Sequence, residues 1–255
     1  GAVLTQKSGN LTAKSLTVAA EVKKDKNNVT TAKAGTFTQE DGTLTVDTLT
    51  NGGTMTVAGT VVTKADSVNS GEIKGNQSQT GSLTIAGGTF TNDGKMTFNE
   101  ITVEDGATLK TGVNRDDMAF QTLDLQKGST LNINALNAKS QVDGKEVEKA
   151  DTLKFTEGTV NLNGGALQVA GEAFTGKVAL DADATANIDG DYTFEQVNNA
   201  GTVTVNGGTL TVTDSFTAGN NFTVENNGTL ALTTKAAGLK IDKGSAAENI
   251  AVTNN

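Results

Sequence analysis

The sequence of 255 residues contains no cysteine, histidine, proline or tryptophan. Without cysteine or histidine the chain has no means of forming a disulfide, a zinc site of the usual kind or a Ser-His-Asp triad. The absence of proline is typical of a chain whose strands have neighbours on both sides, because proline has no N–H to donate to a ladder. We therefore expect a protein that is not an enzyme, with no catalytic, cofactor-binding or metal-binding residues.

Bulky side chains and basic charge are also scarce. Aromatic residues make up 4% of the chain and hydrophobic residues 35%, which favours a slender core built by repetition over a thick one. The formal net charge of -9 disfavours a nucleic-acid partner, because no basic block is present to release counterions. No apolar run approaches the roughly 18 residues of a membrane helix. Whole-chain disorder is disfavoured by the abundance of alternating threonine and valine.

One short phrase recurs along the chain: a glycine, a small polar residue, and then apolar, polar and apolar residues. It occurs at 42–46, 53–57, 81–85, 94–98, 165–169, 201–205, 208–212 and 228–232, with small variations. Each phrase has the alternation of a short β-strand that follows a turn residue. We expect the apolar pair to point inward, the threonine to point outward, and glycine or asparagine to occupy corners that need a positive φ.

The spacing of these phrases predicts the fold. Neighbouring glycines lie about 6 to 7 or about 11 residues apart, and longer returns are near 20, which is the period of a β-solenoid. The prediction is an all-β parallel β-helix, a single solenoid over 1–255. Asn-Gly doublets such as Asn51-Gly52 and Asn206-Gly207 are expected at its corners. Because Asn-Gly also favours tight hairpins, antiparallel β-sandwich modules are the alternative fold.

Three stretches interrupt the repeat, near 19–34, 111–121 and 137–151. Solenoids accept insertions at their corners, so we predict that these stretches are loops. A short hairpin around Asp143-Gly144 is the alternative for the third stretch.

One compact cluster of charged residues is a candidate catalytic site. Asp116 and Asp117 follow Arg115, and a glycosidase needs only two carboxylates. These three residues are the candidate catalytic residues of a polysaccharide hydrolase or lyase. A solvated loop is the simpler interpretation, and the other motifs of β-helical pectinases are absent.

A second acidic group comprises Asp181, Asp183, Asp189 and Asp191. It could bind Ca²⁺ weakly, although exposed turn residues are the simpler interpretation. The segment 87–94 has glycines that suggest a calcium β-roll, but it lacks the spacing and the repetition of that motif.

The remaining candidate for function is the surface. Outward threonine, asparagine and aspartate residues, stacked layer upon layer, form long polar faces that can make many weak hydrogen bonds with a like face. A spacer whose polar residues only interact with water is the alternative.

The segments 41–62, DGTLTVDTLTNGGTMTVAGTVV, and 198–232, NNAGTVTVNGGTLTVTDSFTAGNNFTVENNGTLAL, resemble passenger domains of bacterial autotransporters of the self-associating adhesin type. The resemblance implies a right-handed parallel β-helix exposed on a Gram-negative cell surface, and a parent protein that is anchored through a separate membrane barrel. It implies an extracellular adhesin or self-association module whose partner is itself on neighbouring cells or subunits, or a host protein or glycan. No Gly-Asp-Ser-Gly protease signature is present.

Two other functions remain open. A β-helical protein of the tailspike kind would bind or degrade polysaccharide, and a structural subunit of a surface layer or filament would dock its coils end to end. Exposed ladder edges at the first and last coils would favour the structural subunit.

Overall fold

The computed structural model describes residues 2–21, 33–76, 80–111, 118–133, 141–142, 145–146, 152–217, 221–225, 227–232 and 239–240. The regular secondary structure of these residues consists of β-strands, without helices, and the strands pair mostly in parallel. The all-β prediction is therefore confirmed. The parallel pairing disagrees with the alternative of antiparallel sandwich modules.

The strands are numbered in chain order. The first fourteen are β1 Val3–Gln6, β2 Asn10–Val18, β3 Thr36–Gln39, β4 Thr43–Asn51, β5 Thr54–Val57, β6 Thr60–Thr63, β7 Ser67–Asn69, β8 Glu72–Lys74, β9 Ser82–Ile85, β10 Thr89–Asn92, β11 Lys95–Val103, β12 Thr108–Thr111, β13 Met118–Leu125 and β14 Thr130–Ile133. The others are β15 Gln141–Val142, β16 Lys145–Glu146, β17 Thr152–Leu162, β18 Ala166–Val169, β19 Glu172–Ala173, β20 Lys177–Ile188, β21 Tyr192–Asn199, β22 Thr202–Val205, β23 Thr209–Thr217, β24 Asn221–Val224, β25 Thr229–Leu232 and β26 Leu239–Lys240.

The chain divides into two compact units. The first comprises residues 1–121 and 128–132, and the second comprises residues 122–127 and 133–255. The single solenoid over 1–255 stays a prediction.

In the first unit, each strand pairs in parallel with a strand from the next layer of chain. The first stack contains β1, β3, β5, β8 and the start of β11. The second contains the start of β2 and of β4, then β6, β9 and the end of β11. The third contains the ends of β2 and β4, then β7, β10 and β12. The nine-residue strands β2, β4 and β11 thus each contribute to two stacks.

The core of the first unit consists of the apolar residues that alternate with threonine. Phe37, Leu44, Leu49 and Met55 are 0% exposed, whereas the threonines between them are half-buried or exposed. The predicted alternation, with apolar residues inside and threonine outside, is therefore what the structure shows in these layers. Burial of these side chains is the main favourable contribution to folding, at about 1.5–3 kcal/mol for each.

Glycine is required at one row of corners for a reason that the sequence did not reveal. A Cβ added at Gly59 would collide with the carbonyl oxygen of Gly42, and one at Gly81 would collide with that of Gly59. Neither Gly59 nor Gly81 has a positive φ, although Gly42 does, at 87°. The expectation of positive φ was therefore wrong at Gly59 and Gly81, where close packing of successive layers is the cause.

Asn51 is also placed differently from the expectation. Its side chain does not sit at the surface of a turn but is 0% exposed, inside the first unit. There its Nδ2 donates to the Oδ1 of Asn69 at 2.7 Å, and Asn69 Nδ2 donates to Asn92 Oδ1 at 2.7 Å. The three amides form a buried column at the end of the third stack.

The second unit is also built from parallel pairs. One stack contains the end of β13, the ends of β17 and β20, and then β22 and β24. Another contains β21, β23 and β25, with a register shift between Phe194 and Gln196. Phe194, Phe216 and Phe222 are buried, and Phe216 meets Phe222 edge to face, with ring centroids 4.8 Å apart.

The core of the second unit contains a small cavity of about 20 Å³. Its lining is apolar and includes Phe155, Val160, Ala186, Phe194 and Val203. Ala186 pairs with Val160 in one neighbouring strand and with Val203 in the other. Ala186 is smaller than both of these neighbours, which explains why space remains there.

The structure describes only parts of the three stretches that were predicted to be loops. The hairpin alternative is confirmed, because Gln141–Val142 pairs with Lys145–Glu146 in antiparallel fashion, although residues 143–144 lie outside the described residues. Residues 118–121 belong to strand β13 and are not loop, whereas 112–117 lie outside the described residues. In the first stretch, 22–32 lie outside the described residues, and the flanking residues 19–21 and 33–34 are not strand.

Candidate functional site

The residues that the sequence analysis proposed for carbohydrate chemistry lie outside the part of the chain that the structure describes. Arg115, Asp116 and Asp117 fall within 112–117, outside the described residues. The hypothesis of a carbohydrate site therefore stays a hypothesis.

The second acidic group is spread along the chain. Asp181 and Asp183 lie within β20, at the bend between its two halves, so they are strand and not turn residues. Asp189 is exposed, and Asp191 uses its Oδ1 to accept the backbone N–H of Thr209 at 2.9 Å. In the part of the chain that the structure describes, no three acidic side chains are grouped to hold a metal ion.

The aspartate at position 191 has a counterpart in the first unit. The Oδ1 of Asp66 accepts the backbone N–H of Thr89 at 2.8 Å, and Thr89, like Thr209, follows two glycines. Both bonds connect one layer to the next, over 23 and 18 residues of chain. These two carboxylates therefore hold corners together, which is a structural role.

The most regular surface of the first unit lies on its second stack. Two columns of outward residues run in register across its five strands. We call these residues face A: Asn10, Thr43, Thr60, Ser82 and Glu100 in one column, and Thr12, Thr45, Val62, Thr84 and Thr102 in the other. Glu100, at one end, is its only charged residue.

A face of the same kind lies on the second unit. We call it face B, and it follows the stack that ends at β24. Its columns are Thr122, Thr159, Thr185, Thr202 and Asn221, and Asp124, Asn161, Asn187, Thr204 and Thr223. Asp124 is its only charged residue. In both units, therefore, a five-strand face made mostly of threonine and asparagine carries a single carboxylate at one edge.

Hydrogen bonds between layers order the side chains of both faces. On face A the hydroxyls of Thr60 and Ser82 are 3.1 Å apart, and on face B Asn187 Nδ2 donates to Asn161 Oδ1 at 2.8 Å. A hydroxyl has one donor and two acceptor positions, so such a pair still has capacity for an external partner. The result is a grid of polar groups, with about 4.8 Å between strands and about 6.6 Å between alternate residues along a strand.

The other two stacks of the first unit carry different surfaces. The first stack presents Glu72 and Lys74, which form an ion pair at 2.9 Å, and the next layer presents Lys95. The third stack presents Val68, which is 38% exposed, and Lys110. Face A is thus the surface of this unit with the fewest interruptions by charge.

The sequence predicted outward threonines but missed the buried amides. Asn51, Asn69 and Asn92 share a signal that is visible in the sequence, since each begins an Asn-x-Gly triplet. Asn199 begins another triplet in the second unit, where it is 1% exposed and donates to the carbonyl of Asn221 at 3.0 Å. In these four triplets the amide occupies the last inward position of a strand and the glycine occupies the corner that follows, whereas Asn163 and Asn206 begin the same triplet outside the strands.

No protein-family model matches the chain, and neither curated proteins nor solved structures give a match. The described residues contain no helix long and apolar enough to cross a membrane. The resemblance to autotransporter passenger domains stays a prediction from the sequence.

Proposed function

We propose that this chain is a right-handed parallel β-helix that acts as a self-association module at a bacterial cell surface, binding further copies of itself through face A and face B. It would be the passenger part of an autotransporter, as the sequence resemblance implies. The observation that carries the proposal is the pair of five-strand polar faces, each in register and each with one charged residue.

The parallel pairing supports the β-helix. In the first unit, three stacks of strands are connected so that each layer of chain contributes one strand to each stack, and the buried column of Asn51, Asn69 and Asn92 recurs at intervals of 18 and 23 residues. The right-handed sense follows from the strong preference of parallel strand connections for that hand.

The dimensions of the faces favour many weak contacts over one strong contact. Five strands of four residues cover about 300 Å², given the spacing of strands and residues in a sheet. A stable interface buries about 800 Å² on each partner, so a single face gives a weak and reversible contact. Many molecules on one cell would convert such contacts into firm adhesion, because linked contacts reinforce one another.

The chemistry of the faces favours a like partner. Threonine and asparagine both donate and accept hydrogen bonds, so two identical faces can satisfy each other without complementary charges. A net charge of -9 would oppose close approach of two copies, and faces with few charged residues are the surfaces where that repulsion is smallest.

The test displays the chain on beads and measures clumping. Replacing Thr45 and Thr84 on face A with lysine should reduce clumping at least about tenfold, because two like faces would then bring cations together. The matched control is the Thr38→Lys, Thr56→Lys pair on the first stack, which already carries Lys74 and Lys95.

A mixing experiment identifies the partner. Beads that carry Thr45→Asp and Thr84→Asp should clump with beads that carry the lysine pair more strongly than either kind clumps with itself, because the two altered faces then carry opposite charges while face B is unchanged on both. Unchanged clumping of the lysine pair would refute a role for face A. The same substitutions at Thr185 and Thr204 test face B.

A further inference from the structure

The middle of face A is a regular array of side chains that no charge interrupts. The consecutive layers β4, β6 and β9 contribute two outward residues each: Thr43 and Thr45, Thr60 and Val62, and Ser82 and Thr84. We call these residues the threonine grid. The next layer, β11, adds Glu100 and Thr102, so the first charge on that side lies beyond the grid.

The backbone holds the grid at constant intervals. Each of its three strands pairs in parallel with a strand on either side, β4 with β2 and β6, β6 with β4 and β9, and β9 with β6 and β11. None of the pairings within the grid has a register shift. The grid therefore repeats about every 4.8 Å across the strands and about every 6.6 Å along them.

The side chains of the grid are restrained as well. All of them are half-buried, as expected for residues that are flanked by others in the layers on both sides. Threonine and valine are branched at Cβ, which restricts rotation about χ1. The hydroxyl groups of Thr60 and Ser82 are 3.1 Å apart, at hydrogen-bond distance. Hydroxyl and methyl groups consequently recur at fixed positions.

The spacing of the grid matches that of a crystalline partner. The oxygen atoms on a prism face of hexagonal ice form a rectangular lattice. Its shorter repeat is slightly smaller than the distance between neighbouring strands, and its longer repeat is slightly larger than the distance between alternate residues of one strand. Hydroxyl groups of successive layers can therefore hydrogen-bond to successive positions of that lattice.

The absence of charge favours the same partner. Ice is a neutral lattice of hydrogen-bond donors and acceptors, and a threonine hydroxyl offers one donor and two acceptor positions. A charged group such as the lysine ammonium is strongly hydrated, and its water shell would have to be displaced by the lattice. A methyl group forms no hydrogen bonds with water, so no such shell surrounds it.

The other polar surfaces fit ice less well. On the first stack, the threonines of β3 and β5 are followed in the next layer by the ion pair of Glu72 and Lys74. On face B, one column contains Asp124, and the amides of Asn161 and Asn187 are bonded to each other. The grid on β4, β6 and β9 is the part of these surfaces where hydroxyl groups and the absence of charge coincide.

We propose that the threonine grid binds ice. Face A covers only about 300 Å², so the expected activity is to slow the growth of existing ice crystals and not to hold bulk water far below its freezing point. Ice binding requires no second copy of the chain, so it goes beyond the proposed self-association and does not depend on it.

The test measures the growth of ice grains in a frozen sucrose solution that is annealed just below its melting point. The purified wild type should keep the grains smaller than in a protein-free solution. The Thr45→Lys, Thr84→Lys pair should require at least about a tenfold higher concentration for the same effect, because two strongly hydrated ammonium groups then interrupt the grid.

The matched control is the Thr38→Lys, Thr56→Lys pair on the first stack, whose two positions also lie side by side in successive layers. It should act as the wild type does. Thermal unfolding establishes that both variants are folded. Equal effects of the two lysine pairs, or grains that grow equally with and without the wild type, would overturn the proposal.

A gain of activity gives a second test. Val62 lies between Thr45 and Thr84 in its column, and Val62→Thr exchanges one methyl group for a hydroxyl of similar size. It should lower the concentration needed about threefold, as expected for one further hydrogen bond.

Val68→Thr is the control for that gain. Val68 also lies between two threonines, Thr50 and Thr91, but its column on the third stack continues to Lys110. The exchange there should leave the growth of ice grains unchanged. An equal gain from Val68→Thr would refute the assignment to the grid.

Serine variants separate ice binding from self-association. The Thr45→Ser, Thr84→Ser pair keeps both hydroxyl groups, so bead clumping should persist. Serine is not branched at Cβ, so its hydroxyl is free to change rotamer, and a higher concentration should be needed to slow grain growth. A serine pair as active as the wild type would contradict binding through fixed positions. A wild type that clumps beads but does not slow grain growth would refute ice binding alone.

Discussion

Asn51 and Asn69 occupy the same position in successive layers, and the Nδ2 of Asn51 donates to the Oδ1 of Asn69 at 2.7 Å. The second proton of each amide has a carbonyl partner, Glu72 O for Asn51 at 3.2 Å and Lys95 O for Asn69 at 3.0 Å. A shift of one residue in the pairing would turn these side chains out of the core. The column therefore fixes the register of the third stack as well as stabilising it.

Replacing Asn69 with leucine should lower the free energy of unfolding by about 2–4 kcal/mol, because a buried donor on Asn51 loses its acceptor and Asn92 loses the donor from Asn69. Urea denaturation measures the change. The control is Asn99→Leu at the exposed bend of β11, for which we expect a change within about 0.5 kcal/mol. Equal losses for the two variants would show that the column contributes no stability.

Replacing Gly59 with alanine should destabilise the chain by at least about 2 kcal/mol, because the new methyl group and the carbonyl of Gly42 occupy the same space. Gly9→Ala adds no collision and should cost only about 1 kcal/mol, for a side chain at positive φ. Both are measured by thermal unfolding at low protein concentration. A larger loss for Gly9→Ala would contradict the explanation by close packing of layers.

Ala186→Val should stabilise the chain by about 0.5–1 kcal/mol, because the added methyl groups fill the cavity beside Val160 and Val203. Part of any gain could come from the preference of valine for strands. Ala179→Val, at a half-buried position of the same strand β20, measures that part. The gain at Ala186 should exceed the gain at Ala179, and destabilisation would mean that the cavity is too narrow for valine.

Tyr192 predicts a dependence of stability on alkaline pH. Its side chain is 9% exposed and donates to the carbonyl of Gly165 at 2.7 Å. Burial raises its pKa from 10.0 to about 12. The folded state therefore holds its proton more tightly, and this contribution is complete below pH 10 and is lost as the pH rises from 10 to about 12.

The loss over that range should be about 2 kcal/mol. It is measured as the difference between wild type and Tyr192→Phe in denaturant unfolding at each pH, which removes the effect of the lysines. Tyr192 is the only tyrosine, so phenolate absorbance reports its titration directly. A midpoint near pH 10 in the folded protein would contradict this prediction.

The sequence predicted the strands well because their signal is local. The phrase at 42–46 marks the first part of β4, and the alternation of Leu44 and Val46 with threonine gives the buried positions. Parallel pairing was predicted from the intervals between phrases, since hairpins would not need returns of about 20 residues.

The sequence did not predict the buried amides or the close packing of glycines, because both depend on which residues of distant layers come into contact. Nothing local to Asn69 shows that Asn51 and Asn92 lie on either side of it, and Gly59 is close to Gly42 only after folding. The alignment of Asn161 with Asn187 on face B is of the same kind, since their pairing crosses 26 residues of chain. Intervals between strands vary, so the sequence alone does not fix the register.

The number of residues between paired positions in successive layers varies along the chain. Neighbouring layers are joined by side-chain bonds across 18 residues between Asn51 and Asn69, and across 39 between Asp124 and Asn163. The longer interval contains the hairpin of β15 and β16, yet Thr122 and Thr159 still pair in register on face B. A foreign peptide placed between Gln141–Val142 and Lys145–Glu146 would therefore be carried as a side branch, which makes this position suitable for presenting an epitope without disturbing the strands on either side.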